Sequence, residues 1–323
     1  MLNLKTNRLM KKLFIFLSCV LAIGFVSCND DDKEEPNYPT KNNYSNNNTN
    51  NGSSNSNNGT NTTQEKFTYT GTYDTRHYVN LDLPSKTLWA TENIGASSPE
   101  LAGYYYAWGQ SYYKPFKSFN WSSYELANGS YNSLTKYCTS AAEGYNGFVD
   151  YKTLLEEQDD GGSGNLSGGW TTPTHEQFVE LVNNCYWVWT NNYKSTGHSG
   201  YIVYKAKATY DKGKLIANGQ TPFPWYSEIY DVHIFLPDAG ERNDETTDSN
   251  INAGEGVGKY WTKNIDTSTQ PYFARCITFY KDFIDTDDRE ERCMGLSMRP
   301  VVSYNVVYAT QITPGGIIIP KQY

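Results

Sequence analysis

The sequence carries little charge and no basic excess. Only 19% of its 323 residues are charged, 35 acidic against 27 basic, for a net charge of −8. Lys5, Arg8, Lys11 and Lys12 all fall in residues 1–27, which contain no acidic side chain, so the rest of the chain is more acidic still. A phosphate backbone would be repelled at long range, which excludes nucleic acid as a partner. Leucine-rich amphipathic repeats are missing, and with them the case for a helical bundle. Catalytic signatures are missing as well: there is no G-x-S-x-G and no glycine-rich phosphate loop followed by lysine. The four histidines, His77, His175, His198 and His233, have no partners at metal-ligand spacing, and His175-Glu176 lacks a second histidine four residues on. His175 reads as a surface residue and His233 as a partly buried structural one. No enzyme is expected. What the chain does hold is 28 Tyr, 26 Gly and short apolar runs, the texture of a β-containing, loop-rich fold.

No apolar stretch is long enough for a stable membrane span. The longest, Leu13 to Val26, gives about 21 Å of helix against a hydrocarbon core of roughly 30 Å. It follows Lys11-Lys12 and ends Phe25-Val26-Ser27-Cys28, so it reads as a secretory signal over residues 1–27. The ending resembles a bacterial lipoprotein signal, which implies that Cys28 is lipidated and becomes the first mature residue. The acidic run Asn29-Asp30-Asp31-Asp32 resembles the surface-export signal of lipoproteins in Bacteroides-type bacteria, the alternative being a solvated charge run. The implied location is the outer membrane, facing the exterior, with contact to the membrane through the lipid anchor only. Asn42 to Thr63 is Asn, Ser, Thr and Gly with Tyr44 the one exception, so residues 28–66 read as a disordered tether. Such a chain has an r.m.s. span of roughly 30–40 Å.

The head, residues 67–303, reads as α+β. Strands are expected at Phe67–Gly71, Tyr78–Leu81, Tyr201–Lys207, His233–Leu236, Phe273–Phe279 and Met294–Val302, the last with Arg299-Pro300 at an edge or end. One helix is well specified. Thr174 is its N-cap, Gln177 completes a capping box, and Phe178, Leu181, Val182 and Cys185 form one apolar stripe. Residues 304–323 read as a C-terminal tail.

Seven blocks occur in order: Leu81–Ala96, Gly103–Gly109, Leu134–Cys138, Gly168–Thr174 into Leu181–Cys185, Ile234–Asn243, Tyr260-Trp261 and Gly295–Val301. Together they resemble the Fibrobacter succinogenes major paralogous domain, common in surface proteins of Bacteroidetes. The resemblance covers about Tyr78 to Val302 and implies a C-type-lectin-like fold of the sulfatase-modifying-factor type. Where the related pattern reads Trp-Arg-x-Pro-Thr, this chain has Thr171 in place of the arginine, and its carboxylate cluster is reduced to Glu157, Asp159 and Asp160. Formylglycine-generating relatives hold copper on a close cysteine pair near the C-terminus. Cys276 and Cys293 are spaced too far apart for that arrangement. Of three possible pairings among Cys138, Cys185, Cys276 and Cys293, the resemblance favours a Cys138–Cys185 disulfide, since family members often carry cysteines in both blocks. Small buried thiols are the alternative.

The scaffold implied by the resemblance presents variable residues from its C-terminal third. Carried onto this chain, the candidate ligand-binding residues are Trp261, Lys263, Asn264, Asp266, Tyr272, Arg275, Tyr280 and Arg289. Period-two counting places Arg275 beside the inward-facing Phe273, Ile277 and Phe279, so it must either pair with a carboxylate or sit at a bulge. Trp187 and Trp189 share one face of a strand and are the second candidate surface, with core packing the competing reading. The run Asp282, Asp285, Asp287, Asp288, Glu290, Glu291 offers oxygen ligands to calcium, but a self-neutralising solvated loop fits it better. No cofactor is otherwise implied. The function expected is a surface-exposed, lipid-anchored binding or adhesion protein that recognises an extracellular glycan or protein. A structural or pilus-associated component docking on sister subunits is the alternative, and a carbohydrate-active enzyme the third.

Overall fold

The computed structural model describes residues 70–114, 118–206, 215–216, 232–244 and 253–309. The chain divides into units Met1–Thr63 and Gln64–Tyr323, and all described residues belong to the second. The signal segment, Cys28, the tether and residues 310–323 lie outside them.

The fold is mixed α+β, with three four-stranded sheets and few helices. In the first sheet, β1 (Thr70–Tyr73), β2 (Arg76–Asn80) and β3 (Thr87–Ala90) form a meander. The hairpin between β1 and β2 turns on Asp74 and Thr75, both at positive φ (45° and 68°), the backbone that a two-residue hairpin loop needs. The last described strand, β12 (Val301–Ser303), joins β3, setting Val301 opposite Trp89. The second sheet is ordered β6-β4-β5-β7, from β4 (Cys185–Thr190), β5 (Gly200–Lys205), β6 (Leu215–Ile216) and β7 (His233–Pro237). Its pairs are antiparallel except β4 with β6. The third sheet centres on β9 (Phe273–Tyr280), flanked by β8 (Val257–Ile265), β10 (Phe283–Asp285) and β11 (Arg289–Glu291).

Helix α1 (Gly161–Asn165) is one short turn capped by Asp160. Helix α2 (His175–Asn184) begins as its sequence dictates. The Thr174 hydroxyl accepts from the Gln177 N–H at 3.2 Å, and the Gln177 side chain accepts from the Thr174 N–H at 2.8 Å. Phe178 and Leu181 are buried on its inner face, while Cys185 falls one residue past the helix, as C-cap and first residue of β4. Helix α3 (Tyr304–Ala309) buries Val307 against Trp170 and Tyr78, so the head extends past the expected boundary at 303.

Strand β9 is buried on both faces over most of its length, which is why its sequence alternates poorly. Ile277 and Phe279 enter one cluster with Trp89, Phe178, Trp187 and Tyr201. Ala274 and Cys276 enter another with Trp108, Trp261 and Met298. Trp187 and Trp189 do share a face, but that face is core: they are 0% and 2% exposed. The strand expected over Met294–Val302 is confined to β12, and the stretch before it makes isolated bridges from Gly295 to Arg242, from Leu296 to Tyr106 and from Ser297 to Tyr260. Pro300 has no N–H to give a ladder, and the Arg299 side chain is drawn inward. Arg299 donates to Asn93 Oδ1 at 2.7 Å and to the carbonyls of Ala90, Thr91 and Phe235 at 3.2, 3.0 and 2.8 Å.

The expected Cys138–Cys185 disulfide is not formed. Cys138 is a free thiol whose Sγ lies 3.1 Å from the Ser140 carbonyl, while Cys185 is packed in the cluster around Trp187. Burial pushes the Cys138, Cys276 and Cys293 thiols above their ordinary pKa, the behaviour of inert structural cysteines.

Candidate functional site

The site grows out of an irregularity in β8. Its register with β9 shifts between Trp261 and Ile265, and the backbone released there bonds to two other segments. Lys263 N–H donates to the Pro173 carbonyl and Leu155 N–H to the Lys263 carbonyl, both at 2.9 Å, and Ile265 N–H donates to the Thr153 carbonyl at 3.0 Å. Asn264 thereby reaches the start of α2, where its Oδ1 accepts from the His175 N–H at 2.8 Å. A first-turn donor that the helix cannot satisfy is met by a side chain from the sheet.

Thr153, His175, Glu176, Asn264, Ile265, Thr267, Arg275 and Asp287 enclose a cleft of about 410 Å³. The lining is amide, carboxylate, guanidinium, imidazole and hydroxyl, with Ile265 its one aliphatic member. His175 Nε2 is 2.6 Å from the Thr286 carbonyl, which can only accept, so that nitrogen carries the proton and the ring is fixed. Glu176 is held below the usual carboxylate range. Its own backbone N–H is the main cause, with the Thr174 hydroxyl, His175 and the Asn264 amide adding against a burial penalty. It is therefore ionised at neutral pH.

Arg275 and Arg289 stand directly opposite each other on β9 and β11. Like charges in that position repel. Asp266 resolves the conflict, lying 3.5 Å from the Arg275 guanidinium and 3.4 Å from that of Arg289, and Arg275 also pairs with Asp287. Asp266 is 1% exposed and accepts from the Ser268 N–H and hydroxyl at 3.0 and 2.7 Å and from Thr269 at 2.5 Å. Burial alone would raise its pKa, but the Thr269 and Ser268 hydrogen bonds and the Arg289 charge override this and hold it below the ordinary value. Of the two alternatives for Arg275 the first is realised: it pairs with carboxylates, and the bulge lies in the partner strand β8.

The expected ligand-binding set is therefore divided. Asn264 and Arg275 line the cleft, and Asp266 and Arg289 brace it. Trp261 does not belong to it: it is fully buried, and its Nε1 donates to the Tyr106 carbonyl at 2.7 Å. Lys263 is turned the other way, 3.3 Å from buried Asp160 and 3.0 Å from the Thr171 hydroxyl. Tyr272 packs on Trp121 and Tyr131, away from the cleft, and Tyr280 lies at the far end of β9, opposite Val257 and Phe283. The residues missed are Thr153, His175, Glu176, Thr267 and Asp287. Of these, His175-Glu176, directly after a capping threonine, and Asp287, within the acidic run, left a local signal.

His233 is half-buried, 2.9 Å from the Tyr193 hydroxyl. Within the acidic run, Asp287 pairs with Arg275, and buried Glu290 pairs with Lys259 at 2.9 Å. Among the described residues no group of three His, Cys, Asp or Glu side chains is placed to hold a metal ion. No protein-family model, curated protein or solved structure matches the chain, so the site is read from its own geometry.

Proposed function

We propose that this chain is a surface-exposed binding protein, lipid-anchored through Cys28, whose lectin-like head recognises an extracellular glycan or protein in the cleft between α2 and the β8 bulge. One observation carries the reading: polar side chains from five separate segments meet around a cleft of small-ligand size, and three of them are held in place before any ligand arrives. Asn264 is fixed by the helix start, His175 by Thr286, and Arg275 by two carboxylates. Pre-organisation of this kind lowers the entropic cost of binding.

The test is a cleft-filling substitution. Thr267 is exposed on the rim, so Thr267→Arg obstructs the cleft without removing a packed group. Full-length protein in detergent, presented to an oligosaccharide array and to an array of extracellular proteins, is expected to give at least one ligand whose binding Thr267→Arg abolishes. Ligands that bind the variant as well as the wild type, on both arrays, would refute the assignment of this cleft.

A further inference from the structure

Outside the cleft lining, the segment around Thr153 carries exposed large side chains: Tyr145, Phe148, Tyr151 and Leu154, at 44%, 37%, 70% and 44%. Tyr151 is both the most exposed of them and the one in left-handed backbone, at φ 54°. A bulky side chain seldom adopts that conformation, and where it persists the surroundings over-determine it. Here Asp150 does so. Its carboxylate accepts from the Tyr137, Cys138 and Lys152 N–H groups at 2.9, 2.8 and 3.3 Å. The N–H groups of Asp150 and Tyr151 both donate to the Cys138 carbonyl, at 3.0 and 3.1 Å. Burying the ring would lower the free energy, yet the backbone is clamped so that it stays in solvent. The next residue but one, Thr153, lines the cleft, so the Tyr151 Cα lies within about 7 Å of the rim.

We infer that Tyr151 is an aromatic platform beside the cleft and that the ligand is a neutral oligosaccharide, one sugar ring lying on Tyr151 while a neighbouring unit's hydroxyls enter the cleft. The inference rests on the cleft reading above and adds the ligand class and a residue outside the lining. The chemistry selects this ligand. Carboxylate, amide and guanidinium groups are planar and bind vicinal hydroxyls two at a time, whereas an aliphatic lining of Ile265 alone gives little to a peptide side chain or an acyl chain. Glu176 is ionised and Arg275 is already neutralised by Asp266 and Asp287, so an anionic ligand meets no free cation in the lining. An exposed aromatic face next to such groups completes an amphipathic site for a molecule with an apolar ring face and a polar edge.

The experiment uses full-length protein on an array of neutral and acidic oligosaccharides, with the extracellular-protein array in parallel. Tyr151→Asn removes the ring while tolerating the left-handed backbone, Tyr151→Gly relieves that backbone, and Tyr151→Phe keeps the ring face. Binding to neutral oligosaccharides, weakened about tenfold in both the Asn and Gly variants and within about twofold of wild type in the Phe variant, is the expected result. Neutral-glycan binding that Thr267→Arg abolishes but Tyr151→Asn and Tyr151→Gly leave intact overturns the platform and keeps the cleft. Cleft-dependent binding confined to acidic glycans or to a protein overturns the ligand class and keeps the binding reading. Absence of any ligand sensitive to Thr267→Arg overturns both.

Discussion

Two pairs of arginines in this head do opposite work. Arg292 and Arg299 are fully buried and, among the described residues, face no carboxylate within ion-pair distance; they direct their donors to neutral oxygens from segments far apart in sequence. Arg292 bonds the Tyr124 hydroxyl and the carbonyls of Lys136, Tyr137 and Pro271, and its guanidinium stacks 4.9 Å from the Trp108 ring centroid. Arg299 ties the end of β3 to β7. Arg275 and Arg289 lie at the cleft instead and pair with Asp266 and Asp287. The difference follows from what each must do. A carbonyl is fixed in the chain and cannot be replaced by ligand, so an arginine on carbonyls is a rigid joint. A carboxylate that is 80% exposed, as Asp287 is, can exchange its partner for a ligand or for water.

The sharpest way to break this comparison is at a joint. Arg299→Leu leaves the acceptors of Asn93, Ala90, Thr91 and Phe235 in a dry interior, each at a cost of about 1–3 kcal/mol where no donor replaces it. A loss of roughly 3–5 kcal/mol is expected, read as a fall in the urea midpoint. Arg299→Lys is expected to rescue little, since an ammonium lacks the planar fork that reaches both segments, Ala90–Asn93 and Phe235. Burial lowers the Arg299 pKa to about 10, still far enough above neutrality that the joint is charged in the physiological range. A Leu variant as stable as wild type would show that the buried arginines are not what holds these segments together.

How far the sequence anticipated these features depended on whether their cause was local. The capping box of Thr174 and Gln177 fixed the start of α2 because everything it needs lies within four residues. The conflict at Arg275 was visible as an arginine in an apolar alternation, but its resolution depends on Asp266 across the bulge and Asp287 across a turn. Trp261, grouped with the recognition residues by its position in the chain, is buried because β8 is covered on that side by Tyr106 and Trp108. Thr153 gave no sign at all and Asp287 showed only as one member of an acidic run, since nothing near them in sequence says that they meet across a cleft. Tyr151 looked like one of many tyrosines until the Asp150 clamp behind it could be seen.

An intermediate effect is expected at the brace between scaffold and site. Asp266→Asn removes the charge that separates Arg275 from Arg289 and costs an estimated 1–3 kcal/mol at pH 7. The pH dependence has a definite sign. A carboxylate whose pKa is lower in the folded state contributes stability that is fully present above its unfolded value, about 3.9, and that is lost as pH falls through the folded value. The stability gap between wild type and Asp266→Asn is therefore expected to be constant from pH 7 to about 5 and to narrow below 4. Urea titrations at stepped pH measure it. A gap that persists unchanged into strong acid would mean that Asp266 acts by packing rather than by charge.

The smallest effect on stability, and the most informative for function, is expected at Asp287. Its carboxylate is exposed, and an exposed ion pair contributes about 0–1 kcal/mol, so Asp287→Ala is expected to leave the melting temperature nearly unchanged. Binding is another matter. With Asp287 gone, Arg275 shares only Asp266, which Arg289 also claims, and the cleft loses one of its two carboxylates while keeping its guanidinium. The charge balance that excludes anionic ligands is removed. The variant is expected to bind neutral oligosaccharides more weakly and to gain affinity for their acidic counterparts on the same array, with a salt dependence the wild type lacks. If its ligand profile matches the wild type's, Arg275 does not face the ligand, and the cleft arginine would have to be counted with the joints.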